Sequence, residues 1–136
     1  MDINRMTQKS QEALQAAQNN AIQHGHQEIN TEHLLAALLI DDAGMIPRLL
    51  NNINIPIKTV RERVNNLVSR LPRVSGPGMT PDKFYVSGEL SKVLVRAEEE
   101  MKSLKDEYLS VEHLVLAMIE SDSTAVGKMF AELNLT

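Results

Sequence analysis

The chain has no cysteine and no tryptophan, and only two tyrosines and two phenylalanines. The missing cysteine excludes disulfides, thiolate metal sites and thiol catalysis, and fits a cytoplasmic compartment. With aromatics at 3%, a core must be built from Leu, Ile, Val, Met and Ala, a palette that favours helices over strands. The N-terminus, MDINRMTQKS, lacks an apolar signal segment, and no apolar run approaches membrane length, so no membrane partner is expected. Neither G-x-x-x-x-G-K-[ST] nor G-x-S-x-G occurs. The chain should therefore hold no nucleotide cofactor and contain no catalytic residue. His33 and His113 stand in E-H pairs rather than H-E-x-x-H, and His24 and His26 lie in a short H-G-H, so no metal site is expected. A block of positive charge is also lacking. Residues 1–71 carry seven Lys/Arg against seven Asp/Glu, and residues 72–136 carry seven against eleven. That acidic second half argues against nucleic acid, which needs clustered cations.

What the chain does have is a repeat. The stretch Ile29 to Leu39, INTEHLLAALL, recurs at Leu109 to Ile119 as LSVEHLVLAMI, 80 positions later. The same offset, without a gap, pairs Thr7 with Ser87, Leu14 with Leu94, Ala17 with Ala97, Glu32 with Glu112 and Leu50 with Phe130. Apolar matched to apolar over such a span marks a duplicated unit. At 136 residues, 43% hydrophobic and 24% charged, the whole fits one globular domain.

Taken in order, Thr7 caps a first helix with Ala13, Leu14, Ala17, Ala21 and Ile22 at helical spacing, and Gly25 ends it. Asn30 caps a second, apolar nearly all round from Leu34 to Ile40 and ending at Asp41 to Gly44, which marks a buried helix. Pro47 lies in the first turn of a short third helix carrying Leu49 and Leu50 toward Ile53. Pro56 starts a fourth, with Ile57, Val60, Val64, Leu67, Val68 and Leu71 as its stripe. Residues 72–86, containing SGPGMTPDK, form a Gly/Pro linker. Ser87 then caps a fifth helix with Leu90, Val93, Leu94, Ala97, Met101 and Leu104 inward. Ser110 caps a sixth, and Thr124 to Leu133 gives a seventh. The predicted fold is all-α: two pseudo-symmetric four-helix repeats, 1–71 and 87–136, docked through their central helices and long neighbours. The second repeat lacks its last helix, so the natural sequence is expected to continue past Thr136.

A capped long helix followed by I-x-[TV]-E-H-L-x-x-A-[LM]-[LI], repeated after about 80 residues, resembles the double-repeat N-terminal domain of the Clp AAA+ unfoldases. LPRVSGPG and ELSKVLVRAEEEMKSLKDEYLSVEHL look most like the ClpB disaggregase branch, and the ClpC branch has the same fold. The resemblance implies a binding module on a homohexameric parent whose ATPase domains use ATP and Mg. Its partners would be unfolded or aggregated proteins, or adaptors. A ClpC-type module would bind adaptors or phosphoarginine-marked substrates. A stand-alone helical adaptor is a further reading.

Glu32 and Glu112 each sit in the first turn of a central helix. They either complement the helix dipole there or accept a guanidinium from a substrate. The resemblance adds Thr7 and Asp106, which would lie with Glu112 on one substrate-binding surface; their structural alternatives are a helix cap and a solvated charge. Leu94, with Leu90 and Val93, lines either an apolar groove or the core.

Overall fold

The computed structural model describes residues 3–40, 44–72 and 85–133. Its seven α-helices follow the expected order: α1 (Gln8–Gln23), α2 (Thr31–Leu38), α3 (Met45–Asn52), α4 (Ile57–Ser69), α5 (Gly88–Ser103), α6 (Val111–Glu120) and α7 (Ala125–Glu132). The predicted caps hold. Thr7 Oγ1 accepts the Ser10 N–H at 3.2 Å and Ser87 Oγ accepts the Leu90 N–H at 3.0 Å; Thr124, not foreseen as a cap, likewise accepts the Gly127 N–H at 2.9 Å through Oγ1. Each satisfies a backbone donor that the first helical turn leaves without a partner. Gly25 ends α1 at φ 72°, and its counterpart Lys105 ends α5 at φ 60°. The linker residues 73–84 and the expected end of the second helix at 41–43 lie outside the described residues.

One contiguous core draws on both halves: Ala17, Leu34, Leu35, Leu50, Val60 and Val64 from the first, and Leu90, Val93, Leu114, Met118 and Phe130 from the second. Between the halves, α2 packs on α5 and α7, and α4 packs on α7. The docking thus runs chiefly from one central helix to the flanking helices of the other half. Each fully buried Leu or Phe contributes roughly 1.5–3 kcal/mol, so the first half's central helix depends on the second half for part of its stability.

Several expectations change at helix ends. Helix α2 stops at Leu38, and Ile40 is 71% exposed beyond it. Ile22, Leu49 and Ile53 are also exposed, near the ends of α1 and α3. Leu104, expected inward, is 56% exposed because it is the C-cap of α5, where the chain turns. The linker reading also loses its last two residues. Tyr85–Val86 form a strand, β2, parallel to β1 (Glu28–Ile29), with Glu28 opposite Tyr85 and Ile29 opposite Val86.

The halves also cross. Tyr85 and Ser87 donate N–H bonds to the carbonyls of Gln27 and Ile29, at 3.1 and 3.0 Å. A parallel bridge joins Met6 to Leu109, where Thr7 N–H reaches Leu109 O at 2.9 Å and Leu109 N–H reaches Arg5 O at 2.7 Å. At the 80-residue offset the Met6–Leu109 bridge matches Val86–Ile29, and the Thr7 N–H bond to Leu109 O matches that of Ser87 N–H to Ile29 O. The segment entering the first helix of each half is therefore hydrogen-bonded to the segment entering the second helix of the other.

Candidate functional site

At the second of these crossings the Thr7 N–H reaches Leu109 O, and Asp106 and Glu112 each stand three residues from Leu109 in the chain. Helix α5 ends in a left-handed residue, Lys105, after which the Asp106 N–H returns to Met101 O at 3.0 Å. This double-bonded helix end throws the following side chain back toward the next helix. There, His113 is the third residue of α6. Its Nδ1 accepts the Ser110 N–H at 2.9 Å, a reciprocal cap in which His replaces the usual Glu or Gln. An Nδ1 that accepts leaves Nε2 carrying the proton, so Nε2–H donates to Asp106 Oδ2 at 2.8 Å. His113 is buried and Asp106 is 51% exposed. A buried ring thus orients an exposed carboxylate.

Glu112 is exposed beside this pair, and Thr7 is half-buried, its hydroxyl donating to Ser10 Oγ at 3.0 Å. In the same turn, Leu104 and Tyr108 present apolar surface, with Tyr108 54% exposed. The resulting surface is acidic, apolar and mixed. Sequence reading missed Leu104 and Tyr108 as surface residues because helical periodicity does not show where the chain turns.

The first half does not copy this arrangement. Glu32 is only 3% exposed and accepts the Thr31 hydroxyl at 2.8 Å. Burial pushes its carboxyl above the usual range; the Thr31 and backbone hydrogen bonds oppose this, and Glu89 adds to it. The two glutamates, equivalent in sequence, are thus unequal in access. At Asp106's counterpart stands His26, 2% exposed, whose Nδ1 lies 2.8 Å from His33 Nε2. The H-G-H was expected as a helix end, which it is, but the ring pairing was not anticipated. The 80-residue offset, which sets His26 against Asp106, carried that signal. Leu94 is half-buried and packs against the core beside buried Leu90 and Val93.

A groove of about 800 Å³ runs between α5 and the α6–α7 turn, lined by Lys92, Val95, Arg96 and Glu120. None of the five candidate residues lines it. Among the described residues no cluster of His, Cys, Asp or Glu is arranged to hold a metal, and no helix is long and apolar enough to cross a membrane.

These features define an all-α tandem-repeat domain with a small acidic and apolar surface at the start of its second central helix. The profile of the Clp repeat (R) N-terminal domain matches residues 5–133, and the chain belongs to that family. It is 40% identical over 136 residues to the chaperone protein ClpB of Bacillus anthracis. It is 42% identical over 137 residues to that of Nitratidesulfovibrio vulgaris. Both matches take in the whole chain but 16% of the relative's length. The chain corresponds to the N-terminal domain of these ClpB-type unfoldases, not to an ATPase domain. In fold it is similar to the Hsp104 N-terminal domain from Candida albicans, with a TM-score of 0.82 at 22% identity, covering 96% of this chain and 83% of that one. The N-domain of ClpV from Vibrio cholerae superposes at a TM-score of 0.77 and 20% identity, covering 95% and 77%.

Proposed function

We propose that the domain engages unfolded polypeptide through one polar site, in the second half, and delivers it to the ATPase domains of a larger, ClpB-like parent. The observation that carries this reading is the Asp106 carboxylate, half exposed yet fixed by the buried His113 ring. With Glu112 nearby it offers acceptors to Lys or Arg side chains, and charge-assisted bonds of this kind are about twice as strong as neutral ones. Leu104 and Tyr108 supply apolar contact on the same turn. An exposed segment of an unfolded protein presents both kinds of group together.

Threading, ATP and Mg use, and a hexameric ring belong in this reading to the parent, in the cytoplasm. Adaptor proteins would be alternative occupants of the same surface. The site is single, because the first half buries Glu32 and replaces the Asp with His26.

The test is titration of an unfolded, Arg-containing client peptide onto the chain by NMR or calorimetry. Asp106→Ala with Glu112→Ala is expected to weaken binding at least tenfold while the helical CD signal stays intact; about 1.4 kcal/mol per tenfold is within reach of one charged hydrogen bond. Glu32→Gln should leave affinity unchanged. Full affinity in the double variant would overturn the site.

A further inference from the structure

Helices α4 and α7 meet across the two halves in a groove that the proposal above leaves unused. On α4 and its C-cap, Arg63, Asn66, Leu67 and Arg70 recur at i, i+3, i+4 and i+7, and on α7 Ala125, Lys128, Met129 and Glu132 do the same. That spacing sets each group in one stripe, about 10 Å long. The two stripes line a groove of about 310 Å³. Leu67 and Ala125 are half-buried, Met129 lies buried beside them, and Leu67 packs against the core. The floor is therefore apolar, while the rim is charged.

The rim carries three cations, Arg63, Arg70 and Lys128, against one carboxylate, in a chain whose net charge is −4. That carboxylate, Glu132, is already committed, because it bonds Arg63 across the halves. Arg70 and Lys128 are exposed, and neither forms an ion pair with any described residue. The groove beside α5 has the opposite balance. There Lys92 and Arg96 face four carboxylates, and Arg96 is bonded to Glu120 at 3.0 Å.

Two uncommitted cations, one on each wall, over an apolar floor select a ligand that carries carboxylates around an apolar group. An acidic polypeptide segment has both. Nucleic acid fits less well, since backbone binding draws on about 6–10 phosphate contacts and no aromatic side chain lines the groove for a base to stack on. We infer that the α4–α7 groove is a second docking surface, for an acidic segment of a partner polypeptide: its carboxylates pair with Arg70 and Lys128, and an apolar side chain between them rests on Leu67 and Ala125. This is independent of the Asp106 site, which favours ligands of the opposite charge.

The test titrates a short labelled peptide of Glu, Leu and Ser onto the chain at low salt, followed by fluorescence anisotropy and by amide NMR. Shifts should cluster at Asn66, Leu67, Arg70 and Lys128. Arg70→Ala with Lys128→Ala, both at exposed positions, should keep the helical CD signal and weaken binding about tenfold, through the loss of two exposed ion pairs. Lys9→Ala with Lys92→Ala removes the same charge from exposed positions outside the groove, and should hold affinity within about twofold. Asp106→Ala with Glu112→Ala should likewise leave it unchanged, so this surface and the site proposed above fail separately. The same peptide with every Glu replaced by Gln should bind about tenfold more weakly. Full affinity in the Arg70/Lys128 variant, an equal loss in the Lys9/Lys92 variant, or equal binding of the Gln peptide would each overturn the groove. Tighter binding of a single-stranded oligonucleotide to the same residues would overturn it in favour of nucleic acid. Displacement of the peptide by millimolar inorganic phosphate would reduce it to a general anion site.

Discussion

Replacing Gly127 with alanine sets two effects of known size against each other. Gly127 lies inside α7, where alanine favours the helix over glycine by about 1 kcal/mol. Its backbone, however, passes directly over the Ser121 carbonyl. A β-carbon there would overlap both the carbonyl carbon and the oxygen of Ser121 and crowd Thr124 Oγ1. The obstacle is backbone, held by Thr124 N–H to Ser121 O at 3.0 Å and by Thr124 Oγ1–H to the same oxygen at 2.8 Å. It cannot rotate aside, so the first turn of α7 must lift. That turn carries Val126, and the next carries Met129 and Phe130, all buried, on a helix packed against α2 and α4 of the other half. Overpacking of this kind costs about 1–3 kcal/mol. A backbone obstacle under a core-bearing helix belongs at the upper end, leaving a net loss of about 2 kcal/mol. In a chain of this size that is roughly 8 °C in Tm. Urea denaturation with CD detection measures it, with two controls. Gly88→Ala, whose β-carbon meets nothing within 4 Å, should be neutral or slightly stabilising. Gly25→Ala, forced to φ 72°, should lose about 1 kcal/mol through backbone strain alone. Gly127→Ala as stable as the unaltered chain would refute the close approach.

His33 sets a global acid limit. The unfolded chain takes up its proton near 6.5 and the folded chain only near 4, so stability is complete above 6.5 and falls by roughly 3 kcal/mol as pH drops to 4. Denaturation midpoints in His33→Asn should show a correspondingly shallower decline. Glu32 acts in the opposite direction: its raised carboxyl pKa makes ionisation unfavourable in the fold, so stability is lost as pH rises through the folded value. Glu32→Gln should therefore be more stable than the unaltered chain at pH 8 and lose that advantage near pH 4; an unchanged midpoint at pH 8 would contradict the burial argument. Ser87→Ala removes both the cap on Leu90 N–H and the hydroxyl donated to Asn30 Oδ1 at 2.9 Å across the halves. It should cost about 1–2 kcal/mol by urea titration, more than Thr7→Ala, whose hydroxyl bonds only within its own helix start.

Much of this molecule was legible in the residues. The 80-residue offset, the caps at Thr7, Asn30, Ser87 and Ser110, and the stripes of α4 and α5 depend on neighbours within a few positions, and local chemistry suffices to place them. The same is true of the reversal at Gly25, where a glycine announces the left-handed backbone; Lys105 adopts that backbone without announcing it. The reciprocal crossings were not legible, because pairs such as Tyr85 with Gln27 or Thr7 with Leu109 follow from the pseudo-symmetric docking of the halves and not from either segment's own composition.

The candidate site divides along the same line. The sequence by itself determined the repeat, the helices and the family, and it set Glu32 and Glu112 in matching places, each at the mouth of a central helix. Only the tertiary structure decided that they differ, because access to solvent depends on what the other half lays over each helix start. The domain buries Glu32 near Glu89 and leaves Glu112 in water. It likewise turned one matched pair into a carboxylate held by a ring and the other into two rings sharing a proton. Duplication supplies equal residues, and packing gives them unequal surroundings.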